Sequence, residues 1–500
     1  MAQYLKYLSL HFYVDFSHWT QLLNSIAANG KPHCLSQEII VPGTLNYLSV
    51  HFVPLVFVLA APFKLWPYSE TLIILNFFLM ASSAIPLYKL SLRCTGEKQF
   101  ALFTATLLLW YPTFQYIVMY EFEMLRLSIP IILWMLYFWE EKNTRIYFLF
   151  AAIAVLVREE VGLTIAMYGF YILFFNKKLR EGIVTIILGV TAFATITQII
   201  MPALRSSQDY MHIAAMLFSN FGSNLTEVVI NVIKHPISTL EFVCRPFKLA
   251  NVFMYFLPLL FVPLLSPSVF LAAVANFGVV LLSVSLTHSS YMMYYLSPSI
   301  PFIFYAFIKA WPKLLRLLQA LTKKLYRNPV ADVNSAAMMG VLSSLLVANI
   351  FFGPSFLSLQ FWFKNIRPAP FRTQNFHYSV YKVTEHHGMV EGFCEIIPDS
   401  AIVSAEQFLA PRLFKKNGIM VFPQLETVDG KIEANYVFID KKNPIKTGIG
   451  AVPGSWDGLR DNPQYYYDMV EKHPDHWELV RSDDGYYLYR RIKANLQAAG

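Results

Sequence analysis

Residues 183–201 read IVTIILGVTAFATITQIIM, a run of nineteen residues without an acidic or basic side chain. A helix rises 1.5 Å per residue, so this run spans about the 30 Å of a bilayer's hydrocarbon core. The basic residues Lys177, Lys178 and Arg180 come just before it, as expected of a loop on the cytoplasmic side. The stretch therefore predicts a membrane-spanning helix.

The composition of the whole chain favours the same class of protein. Of 500 residues, 56% are hydrophobic and 14% are charged, against roughly 45–50% and 25% in soluble proteins. The net charge of +8 comes from basic residues spread between apolar runs, as in cytoplasmic loops, and not from one basic patch. We therefore predict a polytopic helical membrane protein, mainly α, and neither a simple soluble enzyme nor a nucleic-acid-binding protein.

The apolar runs predict about ten membrane spans within a domain of residues 71–355. Alternation with the basic loops places residues 202–250, and everything after 355, on the outer side. Two short neighbouring runs are interpreted as a hairpin with Arg158-Glu159-Glu160 at its outer tip. The predicted spans are 71–92, 99–118, 124–140, 146–157, 161–176, 183–201, 251–265, 268–286, 292–311 and 336–355.

After residue 355 the apolar density falls and turn residues become frequent. This change predicts a small α/β domain over residues 356–500, outside the membrane. A hairpin is expected to turn at Asp483-Asp484-Gly485, since aspartate and glycine favour tight turns. The strands are expected at Ala401 to Ala405, Ile419 to Phe422, Tyr436 to Asp440 and, in the hairpin, Trp477 to Tyr489.

The first 70 residues leave two topologies open. The run 50–66 is apolar but is interrupted by a histidine, two prolines and a lysine over about one minimal membrane length. If it lies on the outer face or re-enters it, Asp15 is outside. If it crosses the membrane, Asp15 is cytoplasmic.

Two acidic clusters near the predicted outer face could carry chemistry. Asp15 lies between Tyr13 and Phe16, aromatic neighbours that would hold it at an interface and raise its basicity by partial desolvation. Glu121 and Glu123 lie about one helical turn from Arg126. The structural alternatives are an exposed or helix-capping Asp15 and a solvated glutamate loop with a weak surface ion pair.

Two further polar sites follow in the chain. Ionisable residues between short apolar runs are costly in lipid, so Arg158-Glu159-Glu160 either faces a functional cavity or forms a structural ion pair. His288 is a candidate phosphate or metal contact, whereas an aromatic belt at the headgroup level explains Tyr291, Tyr294 and Tyr295 without a ligand. His386-His387 is interpreted as a surface pair, and no metal-ligand spacing is found among the four cysteines.

An ordered set of short motifs resembles a bacterial family of predicted membrane proteins, domain of unknown function 2079, over nearly the whole chain. The set is more specific than any one of its members. The motifs are Tyr13-Val14-Asp15-Phe16 with Trp19-Thr20-Gln21, His51-Phe52-Val53-Pro54, Val157 to Leu163, Leu257-Pro258-Leu259-Leu260, Gly353-Pro354-Ser355 and Ile397-Pro398-Asp399 to Ala405.

That family in turn resembles the GT-C class of membrane glycosyltransferases, which use polyprenyl-phosphate sugar donors at the outer face of the membrane. The resemblance implies that Asp15 is the catalytic base and that Glu121 or Glu123 is a second catalytic acid. It implies juxtamembrane helices within residues 1–70, with His51 to Trp66 resembling the second, which favours Asp15 outside. Substrate contacts are then expected at His51, Arg158, Glu159, Glu160, His288 and Tyr291.

The resemblance implies an enzyme of the bacterial cytoplasmic membrane whose partners are membrane lipid and a polyprenyl-phosphate-linked sugar. The cofactor stays open, with a divalent metal as one option, because the family pattern Phe-His-Pro-Glu is here Glu121-Phe122-Glu123-Met124. Two alternatives remain: a transporter or flippase of lipid-linked intermediates, and a non-catalytic homologue shortened before Asp15.

Overall fold

The computed structural model describes residues 1–37, 44–205, 217–325, 332–366, 376–443 and 463–492. They form a large helical body followed by a five-stranded sheet, so the predicted mainly α protein with a small α/β domain is confirmed. The elements are α1 Ala2–Leu8, α2 Val14–Asn29, α3 Val56–Leu65, α4 Ser69–Ala81, α5 Ala84–Thr95, α6 Lys98–Trp110, α7 Pro112–Met119, α8 Ser128–Glu140, α9 Thr144–Val155, α10 Val161–Phe174, α11 Leu179–Thr195, α12 Leu225–Lys234, α13 Pro236–Val243, α14 Pro246–Phe256, α15 Val274–Leu282, α16 Ile300–Leu325, α17 Val333–Phe352, α18 Glu385–Cys394, α19 Pro463–Glu471, β1 Ile402–Ala405, β2 Gly418–Val421, β3 Tyr436–Asp440, β4 Trp477–Asp483 and β5 Tyr486–Arg491.

Three helical segments in the described residues are long and apolar enough to cross a membrane. They are α4 with α5 (Ser69–Thr95), α11 with its continuation (Leu179–Ala203), and α17. The pair α6 and α7 would make a fourth span bent by 50°, where Pro112 opens α7 because proline cannot continue the preceding helix. Most of the other predicted spans fall on shorter helices, whereas 292–311 overlaps α16, which has 26 residues but is not among the segments apolar enough to cross. The number of crossings therefore stays a prediction.

The long apolar helices carry large hydrophobic side chains on their outer surfaces. On α11, for example, Ile183, Ile187 and Val190 are each more than two-fifths exposed. In water such a surface would be unfavourable, whereas acyl chains match it. This outward-facing pattern supports a lipid environment for the helical body.

Helices α10 and α11 pack with their backbones almost in contact. A Cβ atom added to Gly189 would lie 2.4 Å from the carbonyl oxygen of Gly162, and one added to Gly169 would lie 2.7 Å from the Ile186 nitrogen. Small residues at such crossings allow the close approach that stabilises helix pairs in membranes. This packing fixes the end of α10 that carries Arg158-Glu159-Glu160.

The C-terminal sheet has the strand order β2-β1-β3-β5-β4. The first three strands are parallel, and β5 and β4 form the antiparallel hairpin that the sequence predicts, with Asp484 and Gly485 at positive φ. Alternate residues of β3 point to opposite faces: Phe438 packs towards α18, while Val437 and Ile439 pack towards α19. The domain is therefore a sheet covered by a helix on each face.

The N-terminal helices dock on this C-terminal domain. From α2, the Gln21 amide donates to the carbonyl oxygen of Ile419 at 3.3 Å and the Asn24 amide to that of Phe414 at 3.3 Å. Leu10 enters the core of the sheet domain. Asp15, in the first turn of α2, therefore lies at the end of the helical body that faces the C-terminal domain.

Candidate functional site

Asp15 lies in the first turn of α2, where the helix dipole favours a negative charge. Its Oδ2 accepts a hydrogen bond from the hydroxyl of Tyr120, and its Oδ1 lies 3.8 Å from Nδ1 of His18. The carboxylate does not cap the helix, and its side chain is 34% exposed. Asp15 is thus fixed in direction yet open to a ligand.

The side chains of Glu121 and Glu123 point in different directions. The chain is extended between α7 and the turn at Met124–Leu127, so alternate side chains point to opposite sides. Glu121 accepts from Lys6 Nζ at 3.3 Å, whereas Oε1 of Glu123 lies 3.5 Å from Arg158 NH1. Only Glu123 of the two belongs to the Arg158 cluster.

The interpretation of this stretch as a solvated loop is wrong. Glu121, Glu123 and Arg126 are all buried. Arg126 does not pair with either carboxylate but donates to the backbone oxygen of Glu121 and, at 2.8 Å, to Oδ1 of Asn76. Burial first, and then the nearby charge of Asp15, raises the pKa of Glu123, although Arg158 opposes the shift.

Arg158 is the centre of the cluster. It lies between α9 and α10, where its Nε is 3.1 Å from Oε2 of Glu160 and 3.8 Å from Oε1 of Glu159. With Glu123, three carboxylates surround one buried guanidinium. Such a cluster holds the loop between the helices, because removing the cation would leave buried carboxylates unpaired.

His51 joins the loop before α3 to this cluster. Its Nε2 accepts from NH2 of Arg158 at 3.2 Å, since a guanidinium can only donate, and its Nδ1 is 2.9 Å from Oε1 of Glu159. In this arrangement His51 donates through Nδ1 to Glu159 and accepts through Nε2 from Arg158. Burial alone would raise the pKa of Glu159, but His51 and Arg158 lower it overall.

His288 and two tyrosines line the neighbouring side. The ring of His288 lies 4.1 Å from that of Tyr295, whose hydroxyl accepts from Tyr294 at 3.2 Å. Burial first, then the charges of Arg158 and Lys248, lowers the pKa of His288 to about 3, so it is neutral at pH 7. Its buried Nδ1 makes no hydrogen bond within the described residues.

Tyr291 lies apart from this group. Its ring packs 5.6 Å from that of Tyr116, and its hydroxyl donates to the carbonyl oxygen of Phe352 at 3.3 Å. Its backbone nitrogen donates to Asn251. Those contacts place Tyr291 in the packing between α7, α14 and α17.

The residues present do not fit a bound metal. Within the described residues no three histidine, cysteine, aspartate or glutamate side chains are placed to hold a metal ion. The nearest approach to such a set, Glu123, Glu159 and Glu160, has the guanidinium of Arg158 between its carboxylates.

The model of the predicted membrane protein family DUF2079 matches residues 14–486. The chain belongs to this family. No curated protein matches it. Members of DUF2079 are predicted membrane proteins, and the family has no assigned activity. The function must therefore be argued from the site.

Sequence reasoning missed a second polar cluster in this DUF2079 protein. His386, interpreted above as a surface residue, is 15% exposed and bridges two carboxylates, with Nδ1 2.8 Å from Asp484 and Nε2 3.2 Å from Asp440. Its ring stacks 4.2 Å from that of Tyr486. The bridge spans up to 98 residues, so no local spacing could reveal it.

Proposed function

We propose that this membrane protein is a glycosyltransferase that takes a sugar from a polyprenyl-phosphate donor at the outer face of the bacterial cytoplasmic membrane. The observation that carries the proposal is a partly exposed carboxylate, Asp15, which is held by Tyr120 and whose charge acts on Glu123 of the buried Arg158 cluster. Glycosyl transfer needs a base for the acceptor and a cationic group for the departing phosphate. Asp15 and Arg158 are of the types that supply these two functions.

In the proposed reaction an acceptor hydroxyl gives its proton to Asp15 while its oxygen forms a bond to the anomeric carbon. The bond between that carbon and the phosphate oxygen breaks, and the electron pair leaves with the polyprenyl phosphate. Arg158 stabilises the negative charge of this leaving group. One in-line displacement inverts the configuration at the anomeric carbon.

The carboxylates around Arg158 set a condition on donor binding. Three negative charges beside one guanidinium would repel a phosphate. Burial raises the pKa of both Glu123 and Glu160, so either carboxyl takes up a proton more readily than it would in water. Proton uptake by Glu123 would free the NH1 side of Arg158 for an anionic ligand.

The test is transfer by the purified full chain in vesicles supplied with radiolabelled polyprenyl-phosphate mannose or glucose and a membrane lipid extract. Asp15→Asn is expected to abolish release of free polyprenyl phosphate, since the amide cannot accept the proton, while expression stays unchanged. Glu123→Gln removes one of the three negative charges beside Arg158, so it should bind the donor more tightly, measured as a lower KM for the donor. The matched variant Glu121→Gln alters a carboxylate that contacts Lys6 and not Arg158. The folded fraction of this variant should transfer sugar at the rate of the unmodified chain.

Two results would contradict the proposal. Unchanged release by Asp15→Asn would remove that residue from the mechanism. Movement of the labelled donor across the vesicle without any covalent product would instead identify a transporter or flippase.

A further inference from the structure

Helices α12 and α13 form a small hairpin between the α11 span and α14. A core of Phe218, Phe221, Val228 and Phe242 joins them and packs against α15. Just after the hairpin, on α14, Lys248 donates to the carbonyl oxygen of Ser283 at 2.8 Å. The hairpin is thus a fixed part of the helical body, at the segment that the sequence predicts to lie outside.

One surface of the hairpin is apolar and uncovered by any residue that the structure describes. Five aliphatic side chains on it are between 42% and 75% exposed. Helices with such a face lie in the boundary between headgroups and acyl chains of a membrane. The five are Val229, Ile230, Ile233, Ile237 and Leu240.

A cavity of about 410 Å³ opens beside this apolar surface, lined by polar side chains, most of them exposed, and by the buried rings of Phe221 and Phe242. On α13, Ser238 and Glu241 line the cavity, while Ile237 and Leu240 belong to the apolar surface. At 100° per residue the mean directions of these two pairs differ by about 100°, a little over a quarter turn. A cavity with charged side chains at its wall, next to an exposed apolar helix surface, has the form expected for a phospholipid, with its headgroup in the cavity and its acyl chains along the hairpin.

The charges lining the cavity define the headgroup. Arg245 and Glu241 both line it, and neither forms an ion pair with a residue in the described part of the chain. The Arg245 guanidinium is positioned over the Phe242 ring, 4.5 Å from its centre, which leaves its N–H groups for a ligand. An anionic headgroup would satisfy Arg245 but would be repelled by Glu241.

We propose that this cavity binds the headgroup of a zwitterionic phospholipid with a primary ammonium, the phosphoethanolamine class. The phosphate accepts from Arg245 and from His235, and the ammonium donates to Glu241. Asn231 and Asn220 line the remainder of the cavity. The site is separate from the Asp15 and Arg158 cluster and does not depend on glycosyl transfer.

The experiment is native mass spectrometry of the full chain, titrated in detergent with phosphatidylethanolamine, phosphatidylcholine, phosphatidylglycerol or polyprenyl phosphate. We expect one phosphatidylethanolamine to bind at least tenfold more tightly than any of the other three. Arg245→Gln and Glu241→Gln should each remove most of that preference. Asp15→Asn should leave it unchanged, so failure of the transferase proposal and failure of this one are distinguishable.

Equal binding of all four lipids would overturn the proposal, and so would unchanged selectivity in both cavity variants. A preference for phosphatidylglycerol or polyprenyl phosphate would show a general anion site and would overturn it too.

A second measurement tests whether the hairpin contacts lipid. The fluorescence of Ile237→Trp should be quenched by brominated lipids, whereas that of Val428→Trp, on the exposed surface of the sheet domain, should not. An unquenched Ile237→Trp would contradict the lipid contact.

Discussion

Glu406 follows β1 at the carboxyl ends of the parallel strands, and its side chain is 2% exposed. Its Oε2 accepts from the backbone nitrogen of Asp440 at 3.0 Å, and its Oε1 accepts from the Tyr467 hydroxyl at 2.8 Å. Burial chiefly, with the charge of Asp440, raises the pKa of Glu406 to about 8. The carboxyl is therefore protonated in the folded domain over a range where an unfolded chain would be ionised.

That difference predicts how stability varies with pH. Between the usual pKa of 4.5 and about 8, the folded state keeps a proton that the unfolded state has lost, so each unit of rising pH costs up to about 1.4 kcal/mol. Glu406→Gln should remove this slope, because its amide can accept from Asp440 and donate to the Tyr467 oxygen. Hydrogen exchange of the β3 amides in the full chain at pH 6 and pH 8, corrected for intrinsic rates, measures it.

Glu478→Gln is the matched control, since Glu478 lies on β4 of the same sheet but is exposed and pairs with Arg490. It should keep the pH slope of the unmodified protein. An equal slope in Glu406→Gln would show that another group titrates.

At the scale of single elements, the contact between α10 and α11 is the most constrained by backbone geometry. Gly189→Ala places a Cβ atom 2.4 Å from the Gly162 oxygen and 2.6 Å from the Ala166 nitrogen, and backbone atoms of two packed helices cannot yield as a side chain can. We expect a loss of about 1–3 kcal/mol in stability, seen as a lower midpoint in thermal unfolding of the detergent-solubilised chain.

Gly278→Ala provides the comparison for that substitution. Gly278 lies within the apolar helix α15, where an added Cβ would meet nothing within 4 Å. Both variants carry the same intrinsic gain in helix propensity. Equal midpoints for the two would therefore contradict the close packing of α10 against α11.

Elements that a short stretch of sequence defines could be predicted from the sequence. Features that depend on contacts between distant residues could not. The β4–β5 hairpin follows from alternation around Asp484 and Gly485, and α11 follows from its uncharged run. By contrast, the opposite directions of Glu121 and Glu123 depend on three extended residues between helices, which no periodicity marks. The contacts of Asp15 with Tyr120, 105 residues away, depend on how the N-terminal helices dock.

At the scale of the whole molecule, the docking of α2 on the sheet domain links two predictions that the sequence left independent. Residues 1–70 alone permitted Asp15 on either side, whereas the C-terminal domain was predicted outside. Because α2 contacts Phe414 and Ile419, Asp15 and the C-terminal domain must lie on one side. Two of the loops that the sequence predicts to be cytoplasmic lie together, since Arg93 pairs with Glu141 at 3.0 Å.

Labelling of single cysteines with a membrane-impermeant maleimide tests this arrangement in right-side-out spheroplasts. Cys34 and Cys394 are buried and poorly suited as probes, so the four native cysteines are replaced and new ones are placed at exposed positions. Ala28→Cys at the end of α2 and Val428→Cys in the sheet domain should react to the same extent. Glu97→Cys should react only after permeabilisation, because the Ser69–Thr95 segment is long enough to carry the chain across.

Each other pattern contradicts a different step of the argument. Opposite reactivity of the 28 and 428 positions would mean that α2 does not dock on the sheet domain in the membrane. Equal reactivity of all three positions would mean either that Ser69–Thr95 does not cross or that residues 50–66 cross as well. If the 28 and 428 positions react together but only after permeabilisation, while the 97 position reacts in intact spheroplasts, the docking holds and the Asp15 cluster faces the cytoplasm. Transfer at the outer face would then be wrong, because the proposed base would lie on the side opposite to the donor.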